Sequence, residues 1–275
     1  MRRETATIGK KTISYLIVEP SEPDVRQRPL RTVVFLHAFP LQAAMWEPNL
    51  GAVPDGWRAV APDLRGFGES SLPDAGKHRM PELAGDVIDL LDRLEVTQAA
   101  VVGCSMGGYV VFEMLKSAAR YISAVGLVST RAGADSEEGR RSREKMIEQV
   151  DREGVEAIAA QMAPKLLGAT TQHERPDLMK HIRNLIGAST RDGIRAAIGA
   201  IMERSDSTPL LPRIKIPTLV VAGAEDTLIP PAEAVAMHRA IPGSEHEAMP
   251  SAGHLPNMEQ PVPFDARLWQ FLQKL

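Results

Sequence analysis

The chain has 275 residues, of which 44% are hydrophobic and 24% are charged, and its formal net charge at pH 7 is −3. This composition is typical of one large globular α/β domain, or of such a domain carrying an insertion, and it excludes disordered, collagen-like and disulfide-stabilised proteins. The balanced charge predicts a small-molecule partner, with no nucleic acid and no membrane. The single Cys104 and the polar N-terminus predict a reducing, cytoplasmic location.

The apolar pattern predicts a mostly parallel sheet with helices on both faces. Residues 5–18 alternate around a turn at Gly9 and predict an antiparallel hairpin at a sheet edge, and the proline-containing stretch 19–31 predicts a loop. Short apolar runs predict buried strands at 32–36, 59–61, 99–102, 124–128 and 218–222. Helical periodicity is clearest at 81–94, and the chain ends in an amphipathic helix at 264–275.

One long segment lacks strand-like runs. Residues 131–207 show successive helical patterns, so we predict a core formed by residues 1–130 and 208–275 and a helical cap formed by residues 131–207. The charged stretch 135–151 predicts a solvated helix or linker. The methionines of this segment fit either an adaptable lid surface or core packing: Met162, Met179 and Met202.

A serine lies in a glycine-rich turn between a predicted strand and a predicted helix. Ser105 follows the strand 99–102 and precedes the helix 109–119, which is the context of a nucleophile elbow. Gly103 and Gly107 omit side chains that would collide where strand and helix cross. Such a serine needs a general base, a group that orients the base, and donors for the oxyanion. The alternative is a glycine-rich turn with an incidental serine.

Four sequence blocks in this order resemble the α/β-hydrolase superfamily, in its esterase, lactonase and C–C hydrolase branch. They are His37 to Pro40, Asp63 to Ser70, Gly103 to Gly108, and Asp226 followed by His254. The resemblance covers nearly the whole chain and implies an α/β-hydrolase fold with a doubly wound sheet of about eight strands and a helical cap. It also implies that no cofactor and no metal is needed, and that Asp63 to Ser70 is a structural turn. Related dehalogenases and epoxide hydrolases carry aspartate, not serine, at the elbow.

The remaining members of a triad are predicted from position. His254 lies in a polar loop before the last helix and is the predicted general base. Asp226 follows a buried strand, at the sheet edge where sites of open α/β sheets gather, and the order Ser, Asp, His is that of α/β hydrolases. Asp135 is the alternative acid, because some relatives place it after the preceding strand.

The oxyanion hole is predicted from the N–H of Met106 and, by resemblance, that of Phe39. Ala38 stands where the family usually has glycine, and alanine would be strained if this position required a positive φ. Trp46 and Tyr109 are candidates either for the substrate pocket or for core packing. Cys104 is expected to be a small buried neighbour of the nucleophile rather than a reactive thiol.

These residues predict a carboxylesterase that cleaves small, mostly apolar esters through an acyl-enzyme. The alternatives with the same triad are enol-lactone hydrolysis, hydrolytic C–C cleavage and perhydrolysis, and a further alternative is a non-catalytic ligand receptor on this fold. The sequence does not choose among substrates, because pocket shape determines them. It also leaves open whether the chain is a monomer or a homodimer.

Overall fold

A computed structural model describes residues 1–20, 30–72 and 78–275. The loop predicted over residues 19–31 falls mostly on residues 21–29, which lie outside these ranges. Among the helices of the described ranges, none is both long enough and apolar enough to cross a membrane.

Eight strands of the described chain form one sheet. Their bounds are β1 (Arg2–Ile8), β2 (Lys11–Val18), β3 (Arg31–Leu36), β4 (Trp57–Pro62), β5 (Ala99–Cys104), β6 (Ile122–Val128), β7 (Thr218–Gly223) and β8 (Glu245–Met249). Their order in the sheet is β1-β2-β4-β3-β5-β6-β7-β8, with β1, β2 and β4 paired antiparallel and every later pair parallel. The predicted α/β-hydrolase fold and the N-terminal edge hairpin are confirmed.

The helices alternate with the strands along the chain. Their bounds are α1 (Glu47–Leu50), α2 (Met80–Arg93), α3 (Met106–Ser117), α4 (Glu137–Glu153), α5 (Val155–Leu166), α6 (Ala169–Glu174), α7 (Pro176–Gly187), α8 (Arg191–Met202), α9 (Pro231–Ala240), α10 (Pro256–Glu259) and α11 (Pro261–Leu272). The helices α4 to α8 all lie between β6 and β7, where a simple parallel crossover needs only one helix.

Burial explains which strands the sequence revealed. Every residue of β5 and of β7 is buried, as expected for central parallel strands covered on both faces. Strand β8 forms the edge beyond β7, and only Met249 in it is buried. Its sequence EHEAM lacks an apolar run, so hydrophobic periodicity did not identify it.

The charged stretch 135–151 is helical over most of its length. In α4 only Met146 and Val150 are buried, in agreement with the predicted solvated helix. Asp135 departs from this expectation: it lies just before the helix and is buried.

Candidate active site

Ser105 occupies a one-residue turn between β5 and α3. Its backbone dihedrals, φ 52° and ψ −110°, are unusual for a residue with a side chain. Hydrogen bonds hold this conformation: the Ser105 N–H donates to the Val128 carbonyl at 2.8 Å, and the Thr130 hydroxyl donates to the Ser105 carbonyl at 2.8 Å. The serine is therefore fixed at the carboxyl end of a central strand, as predicted for a nucleophile elbow.

The glycines around Ser105 permit the close crossing of β5 and α3. A Cβ atom on Gly103 would lie 2.4 Å from the Gly107 backbone, and one on Gly107 would lie 2.3 Å from the Leu36 carbonyl oxygen. Both distances are shorter than real carbon contacts, so any side chain would push helix and strand apart. The steric role predicted for these two glycines is confirmed.

His254 and Asp226 form a buried pair beside the elbow. The His254 Nδ1 lies 2.8 Å from Asp226 Oδ2, and their side chains are 2% and 0% exposed. Asp226 Oδ1 accepts the N–H groups of Leu228 at 2.9 Å and Ile229 at 3.0 Å. An ionised carboxylate only accepts hydrogen bonds, so Nδ1 carries the proton and Nε2 is the basic nitrogen. His254 and Ser105 line the same cavity.

Glu259 anchors the loop that carries His254, and no sequence pattern had indicated this role. This side chain accepts hydrogen bonds from three backbone N–H groups, namely Gly253 at 2.8 Å, Leu255 at 3.1 Å and Gly168 at 2.8 Å. Gly168 lies between α5 and α6, so one carboxylate joins the histidine loop to the helices that follow β6. The sequence feature that could have indicated Glu259 is that it is the one acidic residue in the segment 251–260.

The two predicted oxyanion donors are Phe39, which lines the cavity, and Met106, which directly follows Ser105. Met106 is the first residue of α3, so its N–H has no intrahelical acceptor, and Phe39 lines the cavity directly. The expected strain at Ala38 is not found, because the non-glycine residues with positive φ in the described ranges are Glu95, Ser105, Ser129 and Ser251. Alanine therefore fits this loop without a left-handed conformation.

His37 stabilises the loop that carries Phe39. Its Nε2 accepts the Leu64 N–H at 2.9 Å, so its Nδ1 donates to the Ala38 carbonyl at 3.0 Å. Burial lowers the pKa of His37, which favours this neutral form. This histidine links two loops and does not contribute to the Asp226–His254 pair.

The block Asp63 to Ser70 is a structural turn, as the resemblance implied. The Asp63 carboxylate is buried and accepts the N–H groups of Ala43 at 2.8 Å and Glu69 at 3.3 Å, and the Ser70 hydroxyl donates to the Asp63 carbonyl at 2.6 Å. The carboxylate is thus committed to holding backbone segments together.

The structure separates the two aromatic candidates for the pocket. Tyr109 lines the cavity. The prediction that Trp46 lines the pocket is wrong, because Trp46 does not line the cavity. Its side chain is fully buried, with ring centroids 4.9 Å from Phe35 and 6.1 Å from Phe264. Its large apolar surface is used in the core between a strand and the last helix.

Neither the alternative acid Asp135 nor Cys104 is a partner of His254 in the Asp226–His254 pair. Asp135 pairs with Arg131, Arg143 and Arg204, whereas His254 takes Asp226 as its carboxylate partner. Cys104 is fully buried, and this burial raises the pKa of its thiol well above the usual value. Such a thiol is unreactive, as expected from the sequence.

The cavity over Ser105 is small and is lined by both polar and apolar side chains. Its volume is about 70 Å³. Helices α4, α5 and α8 supply Arg143, Met162 and Ile201 to its lining. In the described part of the chain, no cluster of three or more His, Cys, Asp or Glu side chains has the arrangement of a metal site.

Comparison with known proteins identifies the family. Residues 31–261 match the family model of the alpha/beta hydrolase fold. The chain belongs to the α/β-hydrolase family. A solved structure of a thermophilic esterase from Thermogutta terrifontis, with malate bound, is 35% identical, with a TM-score of 0.91 and coverage of 100% of this chain and 99% of that chain.

Enol-lactonases are similar over comparable lengths. The solved enol-lactonase from Burkholderia xenovorans LB400 is 27% identical, with a TM-score of 0.87 and coverage of 98% of this chain and 100% of that chain. The 3-oxoadipate enol-lactonase 2 of Acinetobacter baylyi is 28% identical over 233 residues, which are 85% of each protein. The chain is thus similar over most of its length to hydrolases of esters and of lactones.

Proposed function

We propose that the chain is a serine hydrolase that cleaves carboxylic esters of small molecules through an acyl-enzyme. The observation that carries the proposal is the buried His254–Asp226 pair, with 2.8 Å between Nδ1 and Oδ2, whose histidine lines the same cavity as Ser105 at its strained turn. The 35% identity to an esterase along the whole chain supports the same reaction class.

The proposed reaction uses two acyl transfers. Ser105 Oγ bonds to the ester carbonyl carbon while His254 Nε2 takes its proton, and the N–H groups of Phe39 and Met106 stabilise the oxyanion. The C–O bond to the alcohol then breaks, and His254 returns the proton to the leaving alcohol. Water attacks the acyl-enzyme with His254 again as base, which releases the acid and restores Ser105. Asp226 holds the imidazole tautomer throughout.

We propose that residues 131–207 form a cap that selects the substrate. The support is that α4, α5 and α8 each place a side chain in the lining of the catalytic cavity: Arg143, Met162 and Ile201. The proposed partner is a small ester or lactone, and the single buried Cys104 supports a reducing, cytoplasmic location.

Enol-lactone hydrolysis is the second candidate, because two enol-lactonases are 27% and 28% identical to the chain. The same triad would open the ring, and the leaving oxygen would stay attached to the acyl group. A panel of p-nitrophenyl esters, enol-lactones and diketones separates the candidates by kcat/KM. Cleavage of diketones without cleavage of esters or lactones would contradict both.

Covalent labelling tests the nucleophile. A fluorophosphonate probe should add one label per chain, and peptide mass mapping should place it on Ser105. Ser105→Ala should remain unlabelled, whereas Ser117→Ala, at the far end of α3, should label at the normal rate. Labelling that persists in Ser105→Ala would refute the assignment.

A further inference from the structure

The catalytic cavity contains two arginines and no acidic side chain among its described lining residues. Arg131 and Arg143 share this lining with Ser105 and His254. An ordinary hydrolase of apolar esters needs no cation there, because the oxyanion is stabilised by backbone N–H groups. The arginines therefore require a separate explanation.

One buried carboxylate holds the arginines in place. Asp135 Oδ1 lies 2.9 Å from Arg131 Nη2 and 2.8 Å from Arg204 Nη1, and Asp135 Oδ2 lies 3.4 Å from Arg143 Nε. Burial alone would raise the pKa of Asp135, but the arginines, Arg204 foremost, lower it below its usual value. Asp135 is thus ionised and fixes the positions of three guanidinium groups.

Arg204 has a structural role within this group. Its side chain is 3% exposed, donates to the carbonyls of Ile201 and Gly133 at 2.9 Å each, and lies 4.3 Å from the centre of the Tyr109 ring. Asp135 and Arg204 therefore form a buried ion pair next to Tyr109, in which the Nε of Arg204 has no hydrogen-bond partner among the described residues.

Arg131 and Arg143 have donors left over. Their side chains are 27% and 21% exposed, and within the described parts of the chain the buried Nε of Arg131 has no hydrogen-bond partner. Three guanidinium charges face one carboxylate, which leaves a net charge of +2 in this group. Cationic charge in excess of its carboxylate partner attracts an anionic ligand strongly in a small, partly dehydrated cavity, and guanidinium groups match the geometry of a carboxylate.

We propose that Arg131 and Arg143 form a carboxylate-binding subsite, so that the substrate is an ester or lactone that carries a second, ionised carboxylate. This inference rests on the proposed hydrolysis at Ser105 and adds its substrate class. The rest of the lining is mainly apolar, with Phe39, Met162, Ile201, Leu228 and Ile229. A short aliphatic spacer between the scissile ester and the carboxylate fits this arrangement of a nucleophile, an apolar wall and a cationic end.

A pair of matched substrates tests the subsite. Monomethyl glutarate carries the carboxylate, and the methyl ester of glutaric acid monoamide replaces it by a neutral group of nearly the same shape. The monomethyl esters of succinate and adipate vary the spacer. We expect the protein to hydrolyse at least one acid ester with a kcat/KM about tenfold or more above that of its amide counterpart. A ratio near one for every spacer would overturn the proposal.

Variants assign the preference to the arginines. Arg143→Gln and Arg131→Gln should each lower the acid-to-amide ratio of kcat/KM by about tenfold, because the acid ester loses more kcat/KM than the amide ester does. Arg143→Lys should restore part of the ratio, because it keeps the charge without the planar fork. Arg141→Gln is the matched control on the same helix, since the Arg141 side chain is 67% exposed. An equal loss for both substrates in the glutamine variants would indicate a purely structural role and contradict the subsite.

Binding without turnover separates this inference from the proposed function. Calorimetry should detect glutarate binding to Ser105→Ala, and binding at least about tenfold weaker when Arg143→Gln is added. If this pattern holds but the unaltered protein hydrolyses no ester or lactone, the subsite stands and the proposed function fails. If Ser105 is labelled and esters are cleaved but glutarate does not bind, the proposed function stands and the subsite fails.

Discussion

At the scale of single residues, the backbone conformation of Ser105 is strained, and the same conformation positions its side chain. Its φ of 52° places the side chain at the end of β5, and hydrogen bonds from the neighbouring strand and loop maintain this conformation. A left-handed conformation costs about 1–2 kcal/mol for a residue with a Cβ atom and little for glycine. The proposed nucleophile is thus held in place at some expense of stability.

Two inactive variants measure this strain. Ser105→Ala keeps the Cβ atom and the strain, whereas Ser105→Gly removes both. We expect both to lose activity and Ser105→Gly to be more stable than Ser105→Ala by about 1 kcal/mol, after the greater chain entropy of unfolded glycine is included. Urea denaturation measures the difference. A glycine variant less stable than the alanine variant would show that Ser105 is not strained.

Asp226 has the proposed role of fixing the tautomer of His254. In Asp226→Asn the amide oxygen can still accept the N–H groups of Leu228 and Ile229, so the fold should be retained. The amide NH₂ then faces Nδ1, which favours the wrong tautomer and leaves Nε2 protonated. We expect kcat to fall by about 10³- to 10⁴-fold at unchanged thermal stability. A loss below tenfold would remove Asp226 from the proposed triad.

The sequence indicated the three residues of the proposed triad but not their surroundings. Ser105, Asp226 and His254 each follow a recognisable local pattern, a glycine-rich turn or the end of a strand or loop. The arginine group depends on residues 131, 143 and 204, which only the fold brings to Asp135. Helical periodicity predicted that the whole charged segment faces solvent. A sequence pattern does not distinguish a buried charge with several ion-pair partners from a charge that is hydrated.

At the scale of elements, the joint between α5 and α6 and the histidine loop behave as one unit. Glu259 accepts N–H groups from both, and the His254 N–H donates to the Leu166 carbonyl at 3.2 Å. A Cβ atom on Gly253 would lie 2.2 Å from the Gly168 nitrogen, so the two segments are in close contact. A shift of the helices after β6 would therefore move the proposed catalytic base.

Glu259→Gln tests this coupling. The amide keeps one acceptor oxygen but presents an NH₂ group to the backbone donors on its other side. We expect the free energy of unfolding to fall by about 1–3 kcal/mol, and kcat to fall more than KM changes, because His254 is displaced in every substrate complex. Glu247→Gln, whose side chain is 40% exposed, is the control and should leave both quantities nearly unchanged. An unchanged kcat in a destabilised Glu259→Gln would limit Glu259 to a structural role.

At the scale of the whole molecule, a buried carboxylate ties the last helix to the core. Asp265 of α11 accepts a hydrogen bond from Asn49 Nδ2 at 2.7 Å, and Asn49 also contacts the Asn257 carbonyl at 3.3 Å. Burial raises the pKa of Asp265 from 3.8 to about 6, although the hydrogen bond from Asn49 opposes the rise. The folded chain therefore keeps this carboxyl protonated in a range where the unfolded chain has lost the proton.

The sign of the resulting pH dependence follows from proton binding. Between about pH 4 and pH 6 the folded state holds one more proton at Asp265 than the unfolded state, so this group's contribution to stability falls as pH rises through that window. The loss is at most about 3 kcal/mol, since one pKa unit corresponds to about 1.4 kcal/mol.

Asp265→Asn keeps an acceptor oxygen for Asn49 and cannot ionise. It should therefore gain stability relative to the unaltered chain as pH rises from 4 to 7, measured by urea denaturation at both pH values. Asp177→Asn, whose side chain is 70% exposed, should show no such gain. An Asp265→Asn difference that stays constant across this range would mean that folding does not raise the pKa of Asp265.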